Sequence, residues 1–442
     1  MLIRRFPTLI LAILAVALGV AALLAQSTPQ KNSELKFVVI VTRHGVRPPT
    51  VANDQINQYS SEPWPAWDVP PGHLTSHGAK LLRLLGAYDR MTFAKAGLLT
   101  PKGCEDASKV YFWADTGERT ISTGRALAEG MLPDCGAKVN SLAEGKKDPI
   151  FSPLATGIGH ADNELGAAAV MGRVGGHADA LAVAYRPALE TLEEILLGCK
   201  PGAKCPPPGL ESKVSLLTMP ISVAPGKGDK PAEMKGPLET ASSLAEDLLL
   251  EYTNGMEGKD LGWGRLDEAK LRQVMSLHIA YSDLLRRTPY IGRMLASNML
   301  SHILKSMEQA VGGKAVPGAM GKPGDRVLVL VGHDGNLSNI AGTLDLSWLL
   351  PGYQPNDTPP GGALVFELWL QPSNGEYQVR SYYTAQTLEQ MHKTLPLTLA
   401  SPPAKAPLFL DGCSQSTEGM PCNWKMFQHR VESSIDPAMV KR

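Results

Sequence analysis

The chain has 442 residues, enough for one large core or for two domains that share an interface. With 43% hydrophobic and 19% charged residues it has the composition of an ordinary globular protein. Lys plus Arg and Asp plus Glu both number 43, so no overall basic excess exists to attract nucleic acid or anionic lipid, and any affinity for anions must be local.

In chain order, Arg4 and Arg5 precede an apolar run over residues 9–25, closed at once by the polar segment 26–31. This order reads as an export signal occupying residues 1–25. The small residues Ala21, Ala22 and Ala25 offer cleavage after Ala22 or after Ala25. The run has almost the length of a transmembrane helix, so an uncleaved anchor is the competing reading. Cleavage is favoured because small residues close the run and no basic stop-transfer flank follows. Export gives meaning to the six cysteines, since thiols outside the cytoplasm are commonly oxidised. Six cysteines permit about 15 connectivities; sequence proximity favours Cys104 with Cys135, Cys199 with Cys205, and Cys413 with Cys422. Neither a Cys-x-x-Cys nor a His-rich ligand spacing occurs, so no metal site and no cofactor are expected.

After the signal, residues 36–42 form a β-branched run that ends in Arg43-His44-Gly45. Residues 326–331 repeat the design and end in Gly332-His333-Asp334. Such continuous apolar runs predict strands buried on both faces, hence an α/β fold with a mainly parallel central sheet flanked by helices. In such sheets ligands bind beyond the carboxyl ends of the strands, where both histidine segments fall. Between them helical periodicity dominates. Thr75 caps a predicted helix running to about residue 90, with Leu81, Leu82, Leu85 and Tyr88 on one face. Residues 160–287 carry Leu181, Tyr185, Leu189, Leu192 and Leu196, then Leu271, Met275, His278, Tyr281 and Leu285, with no convincing strand before the Pro-rich stretch near Cys205. This block is predicted to be a mostly helical domain inserted into an α/β domain made of residues 33–159 and 288–442. Residues 200–209 and 312–324 read as surface loops.

Arg43-His44-Gly45-Val46-Arg47-Pro48-Pro49 carries the chemistry. Guanidinium groups are rarely buried without anionic partners, and two flanking a histidine suit a tetrahedral dianion. Arginines offer forked donors to phosphate oxygens, and their field discourages protonation of the imidazole, leaving a ring nitrogen free to attack phosphorus. Gly45 is read as the residue that lets the backbone turn beside the phosphate. His278, on a helical apolar face, reads as a packing histidine, and His73, His77, His160 and His177 receive no catalytic role.

The Arg-His-Gly-x-Arg-x-Pro pattern, with His333-Asp334 near the C-terminal end, resembles the histidine acid phosphatases, above all the bacterial periplasmic phytases and acid phosphatases. The resemblance covers nearly the whole mature chain. It includes Trp64-Pro65-Ala66-Trp67, Leu98-Leu99-Thr100-Pro101-Lys102-Gly103-Cys104, Gly262-Trp263-Gly264-Arg265 and Asn356-Asp357-Thr358-Pro359-Pro360-Gly361-Gly362. It implies an exported enzyme that hydrolyses phosphomonoesters through a phosphohistidine. His44 would be the nucleophile and Asp334 the acid that protonates the leaving oxygen. Arg43, Arg47, His333 and Arg119, the last within Ala114-Asp115-Thr116-Gly117-Glu118-Arg119-Thr120, would hold the phosphoryl group. Thr50 and Met256 would belong to an outer substrate pocket. The implied partner is a small phosphomonoester, with no nucleic acid, no membrane after signal cleavage, and a monomeric enzyme in the periplasm or medium.

Departures from the pattern bear on substrate range. Val51 stands where such phytases usually have Lys, Leu295 where they carry a further arginine, and Gly335 where Thr follows His-Asp; Gly159 replaces one cysteine of a fourth disulfide. Losing two cations weakens capture of a hexaphosphate more than of a monophosphate, so glucose-1-phosphatase-like specificity is the alternative within the family. A non-catalytic periplasmic binding module is the alternative outside it, but it predicts loss of His44 or Asp334, and both are present. A phosphoglycerate-mutase-like phosphotransferase shares the Arg-His-Gly start, and the export signal argues against it.

Overall fold

A computed structural model describes residues 33–200, 203 and 205–441. The export signal expected at 1–25 lies outside the described residues. The strands are β1 (Glu34–Arg43), β2 (Val110–Ala114), β3 (Val139–Asn140), β4 (Ser222–Pro225), β5 (Ala232–Lys235), β6 (Val327–Gly332), β7 (Ala363–Gln371), β8 (Glu376–Ala385), β9 (Ala404–Pro407) and β10 (Cys422–Asn423). The longer helices are α1 (Ser76–Lys95), α2 (Glu118–Met131), α3 (Asn163–Arg173), α4 (Arg186–Leu197), α5 (Pro237–Thr253), α6 (Glu268–Leu285), α7 (Pro289–Gly312), α8 (Asp334–Leu344) and α9 (Trp424–Ser434).

The central sheet runs β10-β8-β7-β1-β6-β2-β3, with β9 paired to β8. The half that carries the two histidine segments is parallel, through β1–β6, β6–β2 and β2–β3. On its other side β1 continues into the antiparallel strands β7 and β8. The β-branched runs become strands because both faces are covered, and alternate residues enter different cores. Val39, Val41, Leu328 and Leu330 face one core, shared with Leu189, Leu248 and Leu277 of the middle helices. Val38, Ile40, Val327 and Val329 face the other, against Leu82 and Phe93 of α1 and Leu127 of α2.

α1 starts where the sequence places it, with the Thr75 hydroxyl accepting from the Gly78 N–H at 2.9 Å. In the middle block Leu181 and Tyr185 do not continue into α4. A short helix, Ala180–Ala184, ends there, and α4 begins with Pro187 in its first turn, where a missing N–H costs nothing. Beyond Cys205 the block also holds an antiparallel hairpin of β4 and β5. Cys104–Cys135, Cys199–Cys205 and Cys413–Cys422 are disulfide-bonded. No helix among the described residues is long and apolar enough to cross a membrane.

Candidate active site

Three parallel strands deliver the site to one edge of the sheet. Arg43 is level with Gly332 and Ala114 with Val331, so the chain leaves β1, β6 and β2 side by side. The His44 N–H donates to the Gly332 carbonyl at 2.9 Å, and the Asp115 N–H to Val331 at 3.0 Å. His44, Asp115 and His333 are thereby neighbours although they are far apart in sequence. Gly45 is needed for packing rather than for a turn. Its φ is not positive, but a Cβ there would meet Leu82 Cδ1 at 2.7 Å and Leu74 Cδ1 at 2.8 Å. Its N–H donates to the Thr123 hydroxyl at 2.9 Å.

His44 is buried, and its Nδ1 lies 2.9 Å from the Gly45 carbonyl. A carbonyl only accepts, so Nδ1 carries the hydrogen and the Nε2 lone pair is free. Burial, then the charges of Arg43, Arg47, His333 and Arg119, holds the ring well below the usual histidine range. Arg43 donates to the Thr358 carbonyl at 2.7 Å and is paired with Glu246, whose other oxygen accepts from Arg47 at 3.3 Å. Burial pushes Glu246 up, but the two arginines outweigh it and bring its carboxyl down to about 2. The Nε–H groups of Arg43, Arg47 and Arg119 are buried and have no hydrogen-bond partner among the described residues. Three unmet cationic donors around one histidine are costly unless an anion completes them.

Arg119, at the start of α2, places Nη2 3.5 Å from His333 Nδ1. On the far side of the ring, His333 Nε2 donates to Asp115 Oδ2 at 2.7 Å. Burial raises the Asp115 carboxyl, yet the bond and charge of His333 outweigh it and leave it below the usual range. The His44 and His333 rings are 5.6 Å apart, centre to centre.

Asp334 opens α8 and is paired with Arg286. Burial alone would raise its carboxyl; Arg286, Arg43 and His278 instead hold it well below the usual range. His278 is buried as a packing residue would be, with Nδ1 3.1 Å from the Ser242 hydroxyl. Its Nε2, however, has no hydrogen-bond partner among the described residues and lies 3.8 Å from Asp334 Oδ2. A cavity of about 370 Å³ opens over His333, Asp334, Gly335, Arg286, Leu295 and Lys230. Thr50 is exposed and stands beside Gly72, which is also next to Arg119; neither Thr50 nor Met256 lines this cavity.

The sequence reading missed Glu246, Asp115 and Arg286. Asp115 lies in a stretch already singled out, four residues before Arg119, and the pairing of a strand-end carboxylate with a histidine was its only signal. Glu246 lies on one amphipathic helix and Arg286 at the end of another, where both look like ordinary charges, and only their partners in the fold mark them.

The fold and site together define an α/β protein with a buried, arginine-ringed histidine at the carboxyl edge of its parallel strands. The family model for the histidine phosphatase superfamily (branch 2) matches residues 34–180 and 250–384. The chain belongs to that family, and it is a phosphomonoester hydrolase. It is 36% identical over 422 residues to Phytase AppA of Escherichia coli (strain K12), covering 94% of each chain. It is 29% identical to the glucose-1-phosphatase of Salmonella typhimurium, covering 92% of this chain and 95% of that one. Among solved structures, the Hafnia alvei phytase in complex with myo-inositol hexakis sulphate superposes with a TM-score of 0.82 at 33% identity, covering 93% of this chain and all of that one.

Proposed function

We propose that this enzyme hydrolyses phytate and smaller sugar phosphates through a phosphohistidine on His44. The observation that carries the proposal is the His44 ring with Nδ1 committed to Gly45 and Nε2 unprotonated, beside three arginines with unmet buried donors. Arg43, Arg47 and Arg119 receive the three equatorial oxygens of the phosphoryl group, and His333, braced by Asp115, holds it in line. Nε2 of His44 bonds to phosphorus as the ester bond breaks. The leaving oxygen takes its proton from Asp334. Water then attacks the phosphohistidine, gives its proton to the Asp334 carboxylate, and phosphate leaves with His44 restored. The arginines supply the positive charge, so activity should persist in EDTA.

Substrate range follows from the outer pocket. Val51 is 40% exposed and Leu295 borders the cavity, so neither contributes a cation to capture a polyphosphate. Thr50, which shares the neighbour Gly72 with Arg119, is assigned to the outer rim beyond the cavity, and the resemblance puts Met256 there with it. Three disulfides support action outside the cytoplasm, in the periplasm or medium; the enzyme is read as a monomer free of the membrane. The deciding experiment is rapid quenching during turnover of p-nitrophenyl phosphate. A phosphohistidine mapped to residue 44 is expected, and a phosphoryl group on any other residue, or none at all, refutes the pathway.

A further inference from the structure

Arg286 has no role in the scheme above, yet its guanidinium makes its hydrogen bond to the proposed acid, Asp334. It caps the C-terminal end of α6, where the helix dipole favours a cation. The neighbouring Arg287 is committed to structure, through Asp283 at 2.8 Å and the Leu346 carbonyl at 2.6 Å. Arg286 instead reaches into the cavity wall.

Gly335 makes that reach possible. It is the second residue of α8 and its φ is not positive, so the backbone does not call for glycine, which is a poor helix former there. A Cβ at 335 would stand 3.7 Å from Cδ and 3.8 Å from both Cζ and Nε of Arg286. A methyl therefore fits, but the branches of a larger side chain would enter the space of the guanidinium.

We propose that Arg286 is a positioning residue that latches the Asp334 carboxylate in the resting enzyme, and that Gly335 is the gap that admits the latch. The inference rests on the assignment of Asp334 as the acid. The groups facing Asp334 are His278 and Tyr281 from α6, Arg286 at its C-terminal cap, Arg43 from β1, Arg119 from α2, Glu246 from α5 and Tyr383 from β8. Arg286 is the strongest of the groups that keep Asp334 ionised. Asp334 must gain a proton before it can act. The incoming phosphate dianion offsets the arginine charges, the proton joins the carboxylate, and Arg286 lets go. The latch thus sets how high in pH the acid still works.

The test compares the alkaline limb of kcat/KM for glucose 1-phosphate, a poor leaving group, with that for p-nitrophenyl phosphate. The second ionisation of each substrate is common to all variants and cancels in the comparison. Arg286→Gln is expected to move the glucose 1-phosphate limb upward by roughly 1 pH unit or more, the size expected for loss of a neighbouring opposite charge. The p-nitrophenyl phosphate limb should stay in place. Arg286→Lys should keep the limb near its original position, and Gly335→Thr should reproduce Arg286→Gln by displacing the guanidinium. Arg286→Gln and Arg286→Lys decide the matter even if Gly335→Thr does not fold. An unmoved limb in Arg286→Gln, or equal movement with both substrates, overturns the latch. Asp334→Asn separates the two failures. If it slows glucose 1-phosphate selectively while Arg286→Gln moves nothing, only the latch falls; if it shows no selectivity, the acid assignment falls and the latch with it.

Discussion

Replacing Glu246 by Gln tests whether its carboxylate stands in for a bound anion between Arg43 and Arg47. The three side chains are 14%, 1% and 9% exposed, so solvent does little to screen the pairing. The carboxyl falls from 4.5 to about 2, a difference of roughly 3 kcal/mol at about 1.4 kcal/mol per pKa unit. That agrees with the roughly 3 to 5 kcal/mol lost when one partner of a buried ion pair is removed. A group whose pKa is depressed by folding contributes fully above its unfolded value and loses that contribution as pH falls toward its folded one. The window here runs from 4.5 down to about 2. Glu246→Gln should therefore be about 3 kcal/mol less stable than the wild type at pH 6 in phosphate-free buffer, by urea unfolding with the disulfides intact. The deficit should narrow as pH is lowered below 4.5. Inorganic phosphate should stabilise the variant more than the wild type, because a dianion replaces the missing charge. Equal stabilities at pH 6 without phosphate, or a deficit unchanged from pH 6 to pH 3, would refute the reasoning.

Further outcomes follow from the same geometry. His44→Ala should abolish turnover for every leaving group, measured by phosphate release from glucose 1-phosphate and p-nitrophenyl phosphate alike. Asp334→Asn should slow sugar phosphates and phytate by a factor of roughly 10² to 10⁴, with a clearly smaller loss on p-nitrophenyl phosphate and a phosphoenzyme that can still be trapped. Because its neighbours depress the Asp334 carboxyl, wild-type turnover of sugar phosphates should decline as pH rises and the acid loses its proton; an optimum near neutrality would count against it. Val51→Lys should lower the KM for phytate more than that for a simple monoester, and unchanged phytate kinetics would remove the electrostatic account of substrate range. Cys104→Ser opens the covalent loop that encloses Arg119, with a sequence separation of 31, at a cost of roughly 3 to 4 kcal/mol. Its KM for phosphate esters should also rise as that arginine loosens.

The strands that end in Arg43-His44 and Gly332-His333 can be read along the chain, because β-branched runs buried on both faces admit few other structures. The start of α1 at Thr75 can be read there too, a local matter of one hydroxyl and one N–H. The chemistry was legible for a similar reason: two arginines beside a histidine have few uses other than an anion. The partners of these groups come from long-range packing. Glu246 comes from a helix some 200 residues beyond Arg43, and only the folded chain brings its carboxylate within reach of the guanidinium that ends β1. Arg286 meets Asp334 only because α6 ends beside the start of α8 and Gly335 leaves space there. Periodicity records which face of a helix is buried, but a charge that is buried with its counter-charge looks, along the chain, like any residue on the solvent face.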